Sequence, residues 1–71
     1  MADTSLYKVI GLVGTSEIGW EDAVKNAVER ATQTLRDIRN VTVDELDAKV
    51  EDGKVVAYRA RIRLSFKFEG Q

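Results

Sequence analysis

Residues 41–68 read VTVDELDAKVEDGKVVAYRARIRLSFKF, and the second half of this stretch alternates apolar and cationic residues. Alternation with a period of two places the two kinds of side chain on opposite faces of an extended strand. The apolar face holds Val56, Tyr58, Ala60, Ile62, Leu64, Phe66 and Phe68. The other face holds Arg59, Arg61, Arg63, Ser65 and Lys67. Four cations on one strand face need acidic partners, a ligand or a second subunit.

The first half of the stretch predicts another strand, joined to the last one by a hairpin. Asp52-Gly53 is a strong two-residue turn signal, and the strand that follows runs from Lys54 to about Phe68. Before the turn, from Val41, the apolar positions change from odd to even numbers between Asp44 and Leu46. Such a slip of phase predicts a bulge or a sharp bend there.

Upstream, LYKVIGLV predicts a first strand that ends at Gly14-Thr15-Ser16. This strand is apolar on both faces, with Leu6, Ile10 and Leu12 on one and Tyr7, Val9 and Val13 on the other. The following GLVGTSEIG lacks the G-x-G-x-x-G pattern and a Walker lysine, so we interpret it as a strand-to-helix turn rather than a phosphate site.

From Trp20 the apolar period changes to three or four residues, which predicts one helix of about 19 residues and about 28 Å. Glu21 and Asp22 suit its first turn, and Ser16 or Gly19 can cap it. Three alanines allow a close approach to the sheet, and Trp20 is interpreted as an anchor of the helix start. The stripe consists of Trp20, Ala23, Val24, Ala27, Val28, Ala31, Leu35 and Ile38.

These elements give a β-α-β-β order and an α+β fold, a three-stranded antiparallel sheet wrapped on one helix, in a single domain spanning 1–71. One helix covers one face of such a sheet. The other face, partly apolar and partly cationic, therefore predicts a partner subunit. Glu45, Asp47 and Glu51 have the spacing to pair with the arginine row, on the neighbouring strand or on that subunit.

The amino-acid composition excludes or disfavours several classes of site and partner. A chain of 71 residues without Cys or His forms no disulfide and no thiolate or imidazole metal site, so oligomerisation is the expected source of extra stability. A net charge of −1 disfavours nucleic-acid or anionic-membrane partners. No apolar run reaches 18 residues, and MADTSLY lacks the features of a secretory signal, so a cytoplasmic location is expected.

Catalytic chemistry is not expected, because a Ser or Thr nucleophile has no histidine base here. An oxygen-ligand metal site stays open, since Asp44, Glu45 and Asp47 cluster at the predicted bend. No D-x-D-x-D-G calcium loop supports it, and the identity of any metal ligands is left unassigned.

The residues resemble the dodecins, over roughly residues 6 to 69. The most specific parts are YKVIGLVGTS, close to the family pattern Y-K-V-I-x-[IL]-V-G-[TS]-S, then GWEDAVKNAVERA, and the tail DGKVVAYRARIRLSFKFEG. The resemblance implies a small β-α-β-β protein that assembles into a hollow homododecamer. It also implies a binding or storage protein, with helices outside and sheets curved toward the interior, rather than an enzyme.

The resemblance further implies a flavin ligand, riboflavin or FMN, stacked on a Trp after the helix and read by a Gln on the last strand. Asn40 occupies the Trp position (IRNVTV where the family reads L-R-W-F-E-V), and Arg59 occupies the Gln position. Glu45 matches an acidic residue near the sugar-like chain of the ligand. We therefore predict Asn40, Glu45 and Arg59 as ligand-binding residues. Asn40 and Arg59 depart from the family pattern, and we expect both to weaken flavin binding.

Some dodecin-like proteins lack the Trp, and calcium binding is associated with that branch. The alternative interpretation is thus a calcium-binding or purely structural shell without flavin. Arg61, Arg63 and Lys67 are assigned to ion pairs between subunits.

Overall fold

The computed structural model describes residues 6–67, which form one three-stranded sheet and one helix. In chain order the elements are β1 (Tyr7–Ser16), α1 (Trp20–Ala31), β2 (Ile38–Glu51) and β3 (Lys54–Lys67). Both neighbours pair antiparallel with β3, giving the strand order β1-β3-β2. The predicted α+β fold with β-α-β-β order is confirmed. Phe68, predicted at the end of β3, lies outside the described residues.

The two faces of β3 differ as the alternation predicted. Ala60, Ile62 and Leu64 are fully buried beneath α1 and form the centre of the core. Ile10 and Leu12, which stand opposite Leu64 and Ile62 on β1, pack against the same core. We call this side of the sheet the helix face. The opposite side, which carries Arg59, Arg61 and Arg63 and the residues paired with them, is called the ladder face.

The helix lies very close to β1, and Gly14 makes this approach possible. Ala23, Ala27 and Ala31 are the buried residues of α1, as the predicted alanine stripe required. A Cβ atom on Gly14 would overlap the carbonyl oxygen of Ala23 and lie 2.9 Å from the Cβ of Ala27. Glycine is therefore needed at position 14 because there is no space for a Cβ atom, and not because of its backbone conformation.

The start of α1 is held by side chains of the preceding turn. Ser16 Oγ accepts hydrogen bonds from the backbone N–H of Ile18 (2.9 Å) and Gly19 (3.4 Å), and donates to Asp22 Oδ2 at 2.7 Å. Gly19 occupies the N-cap position with extended backbone and without a side-chain cap. The side chain of Ser16 therefore organises the turn before the helix. The acidic residues predicted for the first helical turn, Glu21 and Asp22, are found there.

Trp20 fastens the start of α1 to the sheet, as predicted. Its Nε1 donates to the backbone carbonyl of Asp47 on β2 at 2.9 Å. Its ring meets Tyr58 of β3 edge-to-face, with the ring centroids 5.1 Å apart. Both contacts are ones that buried or half-buried indoles commonly make in a structural role.

The prediction of a 19-residue helix is wrong, because α1 has 12 residues and ends at Ala31. Thr32 and Thr34 follow, and their hydroxyls donate to the carbonyls of Glu29 and Ala31, an alternative to continuing the helix. Leu35 and Ile38 still pack against the core, so the apolar spacing identified buried residues correctly but not their conformation. The helix is neither long nor apolar enough to cross a membrane.

The chain reverses direction at Asp37, whose φ of 59° lies in the left-handed region. Its carbonyl accepts a hydrogen bond from the backbone N–H of Lys67 at 3.2 Å. As a result, β2 begins at Ile38 and not at Val41, where the apolar pattern had placed it.

The predicted bulge and hairpin turn are both confirmed. The register of β2 against β3 shifts between Val43 and Glu45, which leaves Asp44 unpaired and returns Leu46 to the helix face. At the turn, Asp52 and Gly53 have φ values of 53° and 75°. Positive φ at both central residues suits the right-handed twist of a two-residue hairpin.

The helix packs chiefly on β1 and β3, which leaves the helix face of β2 uncovered within the described residues. An apolar stripe results, in which Val41, Val43 and Leu46 are 38%, 45% and 51% exposed. On the ladder face, Val9 and Val13 of β1 are about half exposed as well. Apolar surface on both sides of a small sheet agrees with the prediction of a partner subunit.

Replacing Gly14 by alanine should destabilise the fold by about 1–3 kcal/mol, the usual cost of overpacking. The new Cβ would force α1 away from β1, because its nearest neighbours include a backbone carbonyl. Denaturant unfolding at fixed protein concentration measures the change. Gly11→Ala is the matched control on the same strand, since its Cβ would meet nothing closer than the Ile62 oxygen at 3.9 Å. Equal stability of the two variants would contradict this explanation.

Candidate functional site

The ladder face carries three ion pairs between β2 and β3. Arg59 binds Asp47 through two hydrogen bonds, Nε to Oδ1 at 2.7 Å and Nη2 to Oδ2 at 2.8 Å. Arg63 binds the Asp44 carboxylate in the same forked manner, at 2.8 and 3.0 Å. Between them, Arg61 Nε donates to Glu45 Oε1 at 3.1 Å. We call these three pairs the ion-pair ladder.

Strand register explains two of the pairs, and the bulge explains the third. Asp47 stands opposite Arg59 and Glu45 opposite Arg61, so each carboxylate lies beside the cation across the strands. Asp44 has no partner in the register, and as the bulged residue it reaches Arg63. The sequence predicted Glu45 and Asp47 as partners but missed Asp44, although the slip of phase at this residue was the available signal.

Two of the predicted pairings need correction. Glu51 does not pair with an arginine, and its contact is with Lys49 at 3.4 Å, near the hairpin turn. Arg61 and Arg63 were assigned to ion pairs between subunits, whereas both find a carboxylate on the neighbouring strand of their own chain. The physical reason is that antiparallel register brings acids of β2 and cations of β3 together before any second chain is involved.

Hydrogen bonding in the ladder shifts the ionisation of its members. The bonds from Arg63 hold the pKa of Asp44 below its ordinary value of 3.8, and those from Arg59 do the same to the pKa of Asp47. Reciprocally, the pKa values of Arg59 and Arg63 are raised by their aspartates. All four groups are charged at neutral pH, and each of these pairs has no net charge.

The three predicted ligand-binding residues lie on the same face but not at one place. Glu45 and Asp47, with Arg59 and Arg61, occupy neighbouring positions of the ladder. Asn40 stands opposite Ser65, six residues along β3 from Arg59, which is about 20 Å at the rise of a strand. One chain therefore brings Glu45 close to Arg59, and it leaves Asn40 far from both.

These residues do not fit a flavin in the manner that the resemblance implied. Asn40 has no ring to stack on an isoalloxazine. Arg59 offers only donors where a glutamine offers a donor and an acceptor. Two of its nitrogens are also already bound to Asp47.

The acidic residues at the bulge do not fit a calcium site within one chain either. Calcium takes six to eight oxygen ligands in proteins. Asp44, Glu45 and Asp47 each bind a different arginine. Between Leu6 and Lys67, no three acidic side chains lie close enough together to hold a metal ion.

A cavity of about 340 Å³ opens on the ladder face beside the ion pairs. Gly11 lies at its floor, Val13 on the β1 side, and Asp44, Arg61 and Arg63 on the other. A larger groove of about 500 Å³ runs between β1 and α1 on the other side of the sheet, with Arg30 and Asn26 among its lining residues. Neither space was predicted from the sequence.

The ladder makes a specific prediction about pH. A carboxyl group whose pKa is lower in the folded than in the unfolded protein stabilises the fold at any pH above its unfolded-state pKa. This stabilisation is lost as the pH falls through its folded-state pKa. Asp44 and Asp47 should therefore stabilise the fold at neutral pH and cease to do so well below pH 3.8. In the Arg63→Gln variant the pKa of Asp44 should rise toward 3.8, because its main hydrogen-bond donor is lost.

Carbon-13 titration of labelled aspartate carboxyls measures this midpoint. Arg61→Gln is the control, because Arg61 lowers the pKa of Asp44 only through a weaker charge interaction. The midpoint should move less in the control than in Arg63→Gln. An equal shift in both variants would mean that overall charge, and not the forked hydrogen bond, sets the ionisation.

Comparison with known proteins assigns the family. The chain matches the Dodecin family over residues 6–69. It is 43% identical over 63 residues to calcium dodecin of Mycobacterium tuberculosis, with 89% of each chain covered. It is 36% identical over 64 residues to dodecin of Thermus thermophilus, covering 90% of this chain and 93% of the relative.

Solved structures agree with the sequence match. Dodecin from Streptomyces coelicolor superposes with a TM-score of 0.92 at 37% identity, covering 99% of this chain and 100% of that one. The M. tuberculosis calcium dodecin, described as calcium-chelating with a novel calcium-binding site, superposes with a TM-score of 0.81 at 43% identity, covering 94% and 96% of the two chains. Sequence and backbone together show that this chain belongs to the dodecin family.

Proposed function

We propose that this dodecin is a small-ligand binding and storage protein that works as a hollow homododecamer and catalyses no reaction. Dodecins are small binding and storage proteins, not enzymes. The absence of His and Cys from the whole sequence removes the usual bases and the strongest nucleophile. A cysteine-free chain needs no oxidising compartment, and we propose the cytoplasm as its location.

The observation that carries the proposal is the separation of the site residues along one sheet face. Asn40 lies about 20 Å from Arg59 within a chain, whereas a ligand of flavin size contacts residues a few ångströms apart. A site that uses both residues therefore takes Asn40 from one subunit and Arg59 with Glu45 from another. The uncovered stripe of Val41, Val43 and Leu46 supplies apolar surface for such contacts.

The ligand class we propose is a flavin-type molecule, FMN or riboflavin, held weakly. Loss of a stacking indole costs on the order of 1–3 kcal/mol for each face of the ring. At about 1.4 kcal/mol per decade, binding should be weaker than that of a Trp-bearing homologue by on the order of 10²-fold. The ion pair between Arg59 and Asp47 adds to this loss, because the guanidinium is already engaged.

Calcium is the second candidate, favoured by the name and the reported calcium-binding site of a relative 43% identical to this chain. The ion-pair ladder does not supply a cation site within one chain, since an arginine neutralises each carboxylate. A calcium site in this protein would therefore need oxygen ligands from several subunits. If no such site forms, the alternative is a purely structural shell that binds neither flavin nor calcium.

Flavin titration separates these candidates. We expect weak quenching of FMN fluorescence by the natural chain and strong quenching by Asn40→Trp, because the indole restores the stacking surface. Lys49→Trp is the matched control, since it adds an indole to the same face of β2 at nine residues' distance. Strong quenching by the natural chain would contradict the weak binding proposed. If Asn40→Trp does not quench FMN fluorescence, the site around residue 40 does not accept a flavin. A rise in melting temperature on addition of calcium would then favour calcium as the ligand.

A further inference from the structure

The outer side of β1 faces no other strand among the described residues. The strand order is β1-β3-β2, so β1 pairs with β3 alone. In an antiparallel strand, residues alternate between directing both backbone groups toward the paired strand and directing both away from it. The backbone carbonyl of Thr15 accepts a hydrogen bond from Asn26 Nδ2 at 3.5 Å and is thus directed away from β3. The odd-numbered residues of β1 therefore present their N–H and C=O groups at the open edge.

The groove of about 500 Å³ runs along this edge on the side of α1. The half-buried side chains of Ile10, Leu12 and Leu35 give it apolar walls. Its lining residues on β1 extend from Ile10 to Thr15, which is about 20 Å at the rise of a strand. A strand of ordinary length, about five to six residues, spans this distance. An open strand edge beside an apolar groove is the arrangement by which several domains add a peptide strand to their own sheet.

Arg30 is the one charged side chain among the residues that line this groove. It lies in the last turn of α1, is exposed, and forms no ion pair with any residue between Leu6 and Lys67. A carboxylate in the groove would be attracted by this guanidinium, and a cation would be repelled. The groove therefore favours an acidic occupant over a basic one.

A second copy of the chain matches this groove poorly, although its own open edge, β2, is a strand. If β2 of a second copy continued the sheet with the faces aligned, Val41, Val43 and Leu46 would lie toward α1. None of these carries a charge, and the acids on the ladder face of β2 are already bound to arginines. A second copy would therefore leave Arg30 without a carboxylate.

We propose that the groove between β1 and α1 docks an extended segment of another protein, which adds to β1 as a fourth strand. Apolar side chains of the segment pack against Ile10, Leu12 and Leu35, and an acidic side chain on the same face pairs with Arg30. The open backbone groups of β1 bind a strand of any sequence, whereas the groove and Arg30 select its alternate side chains. This interaction is separate from the proposed small-ligand function, whose residues lie on the ladder face.

Titration of the assembled protein with a synthetic heptapeptide tests the charge preference. The peptide, acetylated and amidated, alternates threonine with valine, glutamate and valine, so that one face carries an acid between two apolar residues. We expect it to bind, and to bind about two- to fivefold more weakly when glutamine replaces glutamate, which is the effect of one exposed ion pair. Arg30→Glu should reverse the preference in favour of a peptide with lysine at this position. Arg36→Glu is the matched control, because Arg36 is exposed and does not line the groove.

Amide hydrogen exchange in the same samples shows whether the peptide adds to the strand. The odd-numbered amides of β1, those of Gly11 and Thr15 among them, should exchange rapidly without peptide and become protected when it binds. The even-numbered amides, which are directed toward β3, should change little.

The proposal is overturned if the glutamate peptide does not bind, or if it binds Arg30→Glu as well as the natural chain. Binding that leaves the odd-numbered amides unprotected overturns strand addition. Protection of these amides before any peptide is added also overturns the proposal, because a second copy then occupies the edge. None of these results bears on the flavin titration, so the proposed function is tested separately.

Discussion

The close contact between α1 and β1 at Gly14 determines how the remaining surfaces are used. Because there is no Cβ at Gly14, the backbone of Ala23 and the Cβ of Ala27 can approach the strand directly. The helix is thereby held over β1 and β3, where Ala60, Ile62 and Leu64 are fully buried. It is too short and too far to one side to cover β2. The uncovered apolar stripe on β2 is therefore a direct consequence of the tight packing on β1.

The ladder face follows from a different constraint, the antiparallel register of β2 and β3 with one bulge. Register places Glu45 and Asp47 beside Arg61 and Arg59, and the bulge at Asp44 adds the pair with Arg63. These exposed pairs contribute little to stability individually. They also neutralise the cations and the carboxylates of this face in pairs.

Period and turn chemistry made most of the fold predictable from the sequence. The alternation in β3, the Asp52-Gly53 turn and the alanine stripe each report a single local requirement, and each prediction was confirmed. The end of α1 was not predictable from spacing, because Leu35 and Ile38 continue the apolar pattern after Thr32 and Thr34 have ended the helix. The residues of the ladder face could be identified from the sequence. The separation of about 20 Å between Asn40 and Arg59 could not, because it depends on strand register. The cavity beside Gly11 could not either, because it results from the absence of a side chain there. The ligand role of Asn40, Glu45 and Arg59 stays a prediction.

We propose that further copies of the same chain cover the apolar surface that α1 leaves exposed. Sedimentation of the purified protein at micromolar concentration tests this proposal. Val43→Asp places a charge in the apolar stripe, and Lys25→Asp, on the exposed surface of the helix, is the control. We expect one species with twelve times the mass of the chain for the natural protein and for Lys25→Asp, and smaller species for Val43→Asp. A stable monomer or dimer of the natural protein would contradict it.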